Sequence, residues 1–267
     1  MATHNDKERI IDLSRFYDDD NYKFYPNRCD GKSNLKKIMN SIPDYYQKYY
    51  YFEEIKEFLK VQTDRNVNKG PDLPFWGKNY FTISNRPKIL ILSQDSHSEY
   101  SCSVVFYACL FELICNKKEF EIFRKKVSIS DFVAYDLVRN YFIEMFDRNL
   151  DTIFLTDAYK FFKINKKGIE IRDTKRSREL LQKEIVVLEP DIIITLGCLS
   201  WDLIKPIYKN HKKYSACVSK ILSLENPFLN KIHHIVVSPF PGYRRIDFFN
   251  LYREKTIKNV KDSINRY

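Results

Sequence analysis

Gln94-Asp95-Ser96-His97-Ser98 sets an amide, a carboxylate, an imidazole and two hydroxyls within one turn of chain. It directly follows the apolar run Ile89-Leu90-Ile91-Leu92. A carboxylate placed this way can stabilise developing positive charge and orient a water, and an imidazole beside it can move a proton. Three later apolar runs stop at equally unusual places: Thr156-Asp157, Leu196-Gly197, and Ser238-Pro239-Phe240-Pro241-Gly242-Tyr243-Arg244-Arg245. The competing reading of each is a polar turn that caps the next helix.

Short uninterrupted apolar runs bounded by turn residues read as strands buried on both faces, as in parallel sheets. Four are expected: the run after Lys88, then Thr152 to Thr156, Asp191 to Leu196, and Ile235 to Ser238. Between them the periodicity predicts helices over 104–126, from Ser130-Asp131 to about Arg148, through Leu180 to about Glu189, and from Trp201 to Tyr208 with Pro206 cutting it. A last helix is expected from about Phe248 to Ile264. Strands separated by helices of crossover length imply an α/β fold. The expected architecture is a three-layer α/β/α sandwich on a central four-stranded parallel sheet. In such sheets ligands bind at the carboxyl ends of the strands, where these polar clusters fall.

The domain expected over 71–267 follows an N-terminal extension, 1–70, read as mainly helical and irregular. Residues 70–87, rich in proline and glycine, read as a loop into the first strand. Residues 160–178 read as a basic linker. Lys plus Arg number 45 against 35 Asp plus Glu, for a net charge of +10, which favours a polyanionic partner with nucleic acid first. Six cysteines without a C-x-x-C pair argue for reduced thiols and against a metal cluster. The polar start of the chain and the absence of a run of about 18 apolar residues point to a cytoplasmic protein that does not engage a membrane, expected to be monomeric.

Taken in order, four segments resemble the uracil-DNA glycosylase superfamily. Lys88 to His97 resembles its first motif, Gly-Gln-Asp-Pro-Tyr-His, with Gln94-Asp95 on the Gln-Asp. Ile153 to Lys160 resembles the strand ending Thr-Asn-x-x-Lys in the thermophile branch. Leu180 to Gly197 resembles that branch's helix, proline, strand and glycine, and Val236 to Gly242 the closing His-Pro-Ser motif. The resemblance implies a DNA glycosylase acting in repair or in defence against modified phage DNA. No cofactor is implied, because Phe161 stands where the thermophile branch has a cluster-binding cysteine.

It further implies Asp95 as the water-orienting carboxylate, with His97 beside it in the catalytic group. Gln94, Ser96, Asp157 and Phe240 fall on base-pocket positions, and Phe106 or Tyr107 lies near the spacing of the base-stacking aromatic. Lys160, Ser238, Gly242, Tyr243, Arg244 and Arg245 fall where DNA is gripped, the last four on a loop that enters the duplex. Three departures matter. Asp157 replaces the uracil-reading asparagine, Phe240 the closing histidine, and Ser96-His97 the Pro-Tyr that screens bulky bases. An ionised carboxylate only accepts hydrogen bonds, so Asp157 suits a cytosine-type or 5-modified cytosine base better than uracil. Two alternatives remain: a non-catalytic DNA-binding relative, suggested by Phe240, and a metal-dependent phosphoesterase, suggested by Asp95-Ser96-His97.

Overall fold

The structure is a computed structural model that describes residues 9, 75–77, 79–81, 86–94, 118, 122, 134–160 and 162–267. The expected extension over 1–70 therefore lies outside the described residues except for Arg9. The expected helix over 104–126 does so too, except for Lys118 and Ile122, which are helical.

Strand β1 is Phe75–Trp76, β2 Ile89–Ser93 and β3 Ile153–Asp157, with helix α1, Tyr135–Phe146, between the last two. A hairpin follows, β4 Phe162–Ile164 and β5 Glu170–Arg172. Next come α2 Thr174–Leu188, β6 Ile192–Leu196, α3 Gly197–Ile204 continued by a 3-10 turn, and α4 Tyr214–Cys217. The chain closes with β7 Ile221–Asn226, β8 Lys231–Ser238 and α5 Ile246–Ile264.

The fold is α/β. Strands β3, β2, β6 and β8 lie side by side and parallel. Every residue of β2, β3 and β6 is buried, which is why their sequences do not alternate. Two antiparallel strands that the sequence reading did not anticipate flank this core, β1 against β3 and β7 against β8, giving six strands in all. The loop expected over 70–87 thus contains a strand. Trp76 is drawn in because its ring stacks on Phe154 of β3, 6.1 Å away. The expected basic linker likewise contains the β4–β5 hairpin.

Right-handed crossovers place α1 on one face and α2 with α3 on the other, since the chain steps one way from β2 to β3 and the opposite way afterwards. Helix α5 packs beside α1, where Phe249 meets Tyr141 edge-on at 4.9 Å. At the amino ends of the strands Asp191 acts as a clamp. Its carboxylate accepts from Lys88 N at 2.8 Å and from Lys231 Nζ at 2.6 Å, tying the starts of β2, β6 and β8 to one point. The register brings the carboxyl ends out level on the opposite edge, with Ser93 opposite Asp157 and Leu196 opposite Ser238. Among the described residues no helix is long and apolar enough to cross a membrane.

Candidate active site at the strand ends

Ser93 and Asp157 are register partners, so β2 and β3 end together. The pairing continues past both strands, with Ala158 N donating to Ser93 O at 3.1 Å and Tyr159 N to Gln94 O at 2.9 Å. Ser200 of α3 donates its hydroxyl to Ser93 O at 2.7 Å, anchoring the same turn from the next helix. Gln94 therefore leaves the sheet in a fixed direction.

That direction is over Gly197. Gly197 has φ +85°, and a methyl group built on it would fall 2.2 Å from Gln94 Nε2 and 2.9 Å from Phe240 Cβ. Glycine is needed here for both reasons: the left-handed backbone and the space a side chain would take. On the far side, the Phe240 ring lies against Gly242, where a Cβ would come within 3.1 Å of it. The ends of β2, β6 and β8 thus meet in one patch of Gln94, Gly197, Phe240 and Gly242.

Asp157 closes the row at the end of β3 and is 1 % exposed. Two further ionisable groups are buried beside it. Lys160 Nζ lies 2.5 Å from Glu184 Oε2 of α2, with both side chains fully buried. Burial pushes the Lys160 ammonium down and the nearby Asp157 charge pushes it back up. Burial pushes the Glu184 carboxyl well up. Lys160 and Glu184 form a buried ion pair, and Asp157 is the neighbouring acid whose charge acts on the ammonium. Lys160 N also donates to Ser177 Oγ at 3.2 Å, fixing the chain that follows Asp157 onto α2.

Two expectations are corrected by this geometry. Lys160 is not a phosphate-gripping surface residue, because its ammonium is enclosed with Glu184. Ser238 is not on the DNA-facing surface either. It is fully buried, and its hydroxyl is engaged with Tyr141 Oη at 2.9 Å and donates to Pro239 O at 2.7 Å. Burial pushes the Tyr141 phenol up to about 12, so this link is between neutral groups.

Tyr243, Arg244 and Arg245 form an exposed 3-10 turn between the patch and α5, with Tyr243 54 % exposed. Asp95, Ser96, His97, Phe106 and Tyr107 lie outside the described residues. Among the described residues, no three His, Cys, Asp or Glu side chains are grouped to hold a metal ion. The fourth strand begins earlier than the expected Ile235, so that His233 and His234 lie within β8.

Sequence reasoning missed Glu184 and the contact of Gly197 with Gln94. The first had a signal: Leu180, Leu181, Ile185 and Leu188 are the buried stripe of α2, and Glu184 occupies a position on that stripe. An acid at a core position demands a buried partner. The second had none, because it depends on how two strands line up. The chain matches no protein-family model and no curated protein.

Proposed function

We propose that this protein is a DNA glycosylase that takes a pyrimidine nucleotide out of the duplex and hydrolyses its N-glycosidic bond, with a cytosine-type or 5-modified cytosine as the base. The observation that carries this reading is the assembly of Gln94, Asp157, Gly197 and Phe240 along one edge of a parallel sheet. These residues belong to the four segments that resemble the glycosylase superfamily, here with a buried carboxylate at the position of the uracil-reading asparagine. A base inside the stack is out of reach, so the nucleotide must be extruded into such a crevice.

The reaction asks little of the protein beyond binding and electrostatics. The bond from C1′ to the ring nitrogen breaks with its electron pair going to the base, and the sugar becomes oxocarbenium-like. Water then bonds to C1′ and gives up a proton, and Asp95, the residue after Gln94, is the carboxylate assigned to receive it. Asp157 accepts from the exocyclic amine; when the other ring nitrogen of the base has taken a proton from solvent, Asp157 accepts from that N–H too, and the base then departs neutral. A neutral leaving group needs no histidine to stabilise an anion, which accords with Phe240. The exposed Tyr243-Arg244-Arg245 turn suits the gap left in the duplex and its phosphates.

Asp157→Asn tests the base assignment. An amide both donates and accepts, so the ratio of cytosine-type to uracil excision should fall by at least about tenfold, the worth of one charge-assisted hydrogen bond. An unchanged ratio would refute the role given to Asp157.

A further inference from the structure

The segment after β3 is a built ribbon. Strands β4 and β5 pair antiparallel, with Phe162 opposite Arg172 and Ile164 opposite Glu170. The turn between them is closed by Asn165, whose side-chain oxygen accepts from Lys167 N at 2.9 Å and Ile169 N at 3.0 Å. Gly168, at φ +71°, supplies the left-handed residue that such a turn requires. At its base the ribbon is pinned beside the strand ends, because the Arg172 guanidinium sits 5.4 Å from the centre of the Tyr159 ring, two residues beyond Asp157.

What the ribbon presents is unusual. A two-stranded ribbon ordinarily turns its apolar face toward the body of the protein. Here Ile169 and Ile171, two apart and so on one face, are 55 % and 39 % exposed. Lys166 and Lys167 stand exposed at the tip. Residues 165–178 hold six Lys or Arg against two acids, a large share of the chain's positive surplus. An apolar strip edged by cations fits neither plain solvent nor an acidic protein surface alone. It does fit the groove of a nucleic-acid duplex, which admits a two-stranded ribbon, offers apolar sugar edges and carries phosphates on both rims.

We propose that the β4–β5 ribbon is a DNA-contacting arm, with Lys166 and Lys167 on backbone phosphates and the Ile169–Ile171 strip against the groove wall beside the extruded nucleotide. This rests on the glycosylase reading for its partner, and adds a second point of grip on the other side of the strand ends from the Tyr243–Arg245 turn.

The test is binding of the full chain to an undamaged fluorescent duplex, which needs no turnover, followed by anisotropy over a range of salt. Lys166→Ala/Lys167→Ala should reduce the slope of log affinity against log salt by about 2, near 0.9 for each phosphate released. Lys255→Ala/Lys258→Ala, two exposed lysines of α5, matches the charge change and should leave the slope much nearer wild type. Ile169→Ser should weaken binding severalfold with the slope unaltered, since it removes apolar contact and no charge. All three sites are exposed, and an unchanged melting temperature checks that the fold is intact. If both lysine pairs lower the slope equally, or neither does, the arm is overturned while the glycosylase reading stands on excision. If the wild-type chain shows no salt-dependent duplex binding, both fall.

Discussion

Glu184→Leu should be among the most damaging single substitutions in the described part of the chain, although Glu184 touches no solvent. It leaves the Lys160 ammonium buried without its contact partner. At 2.5 Å the pair attracts by about 7 kcal/mol at an effective dielectric of about 20, and much of that offsets the desolvation of two charges. Removing one member of such a pair costs about 3–5 kcal/mol, because the other is left uncompensated. Replacing both, in Lys160→Met/Glu184→Leu, should recover most of the loss, since an apolar pair of similar volume suits the same space. Urea denaturation of the wild type, the two single variants and the double variant gives the coupling energy directly.

The pH dependence adds a second check. Burial lowers the folded-state pKa of Lys160 below its unfolded value, so a folded chain without Glu184 resists charging it. The deficit of Glu184→Leu is therefore full at neutral pH and shrinks as pH rises toward about 10, where the unfolded lysine also loses its proton. A single-variant loss below about 1 kcal/mol, the size of an exposed pair, would refute the burial argument. So would a double variant as unstable as the worse single one.

Acid should weaken the β7–β8 edge through His233, which is fully buried and lies 2.5 Å by Nδ1 from Tyr208 Oη. Burial lowers its pKa from 6.5 to about 4, so the stabilisation is whole above pH 6.5 and is lost as pH falls toward 4, by about 3 kcal/mol. In His233→Gln this part of the acid sensitivity disappears, and parallel pH profiles for variant and wild type would contradict it. Gly197→Ala combines an unfavourable left-handed backbone with a collision against Gln94 and Phe240. It should cost about 1–2 kcal/mol of stability and at least about tenfold in excision. Gly168→Ala has similar backbone geometry but nothing within 4 Å of the added methyl, so it should cost only the backbone part of that stability. Excision by Gly197→Ala at the wild-type rate would mean that Gln94 placement is not what Gly197 secures.

The parallel core was legible in sequence because each of its strands is buried on both faces and so reads as an unbroken apolar run between turns. The edge strands were not. In β7, Ile221-Leu222-Ser223-Leu224-Glu225 mixes apolar, polar and charged residues because its side chains are only partly buried. Strand β1 is two residues long and is defined by pairing with Leu155 and Phe154, not by its own pattern. The β4–β5 ribbon was hidden by its charge, although Asn165-Lys166-Lys167-Gly168 is a turn signature. At the site, the identity of Gln94 and Asp157 could be read from the chain, and their location at strand ends followed from the strand pattern. Burial could not. Lys160 and Ser238 look like surface donors in sequence, and only the packing of α2 against the end of β3, and of Tyr141 against β8, takes them inside.

The most direct measurement is excision on matched duplexes and single strands carrying uracil, cytosine, 5-hydroxymethylcytosine or its glucosylated form. Alkaline cleavage reveals abasic sites, and Asp95→Asn serves as the blank. The proposed glycosylase leaves abasic sites at a cytosine-type base, in excess over uracil, and none with Asp95→Asn. Binding of every duplex with no abasic site on any of them would contradict it, leaving a DNA-binding protein on this scaffold.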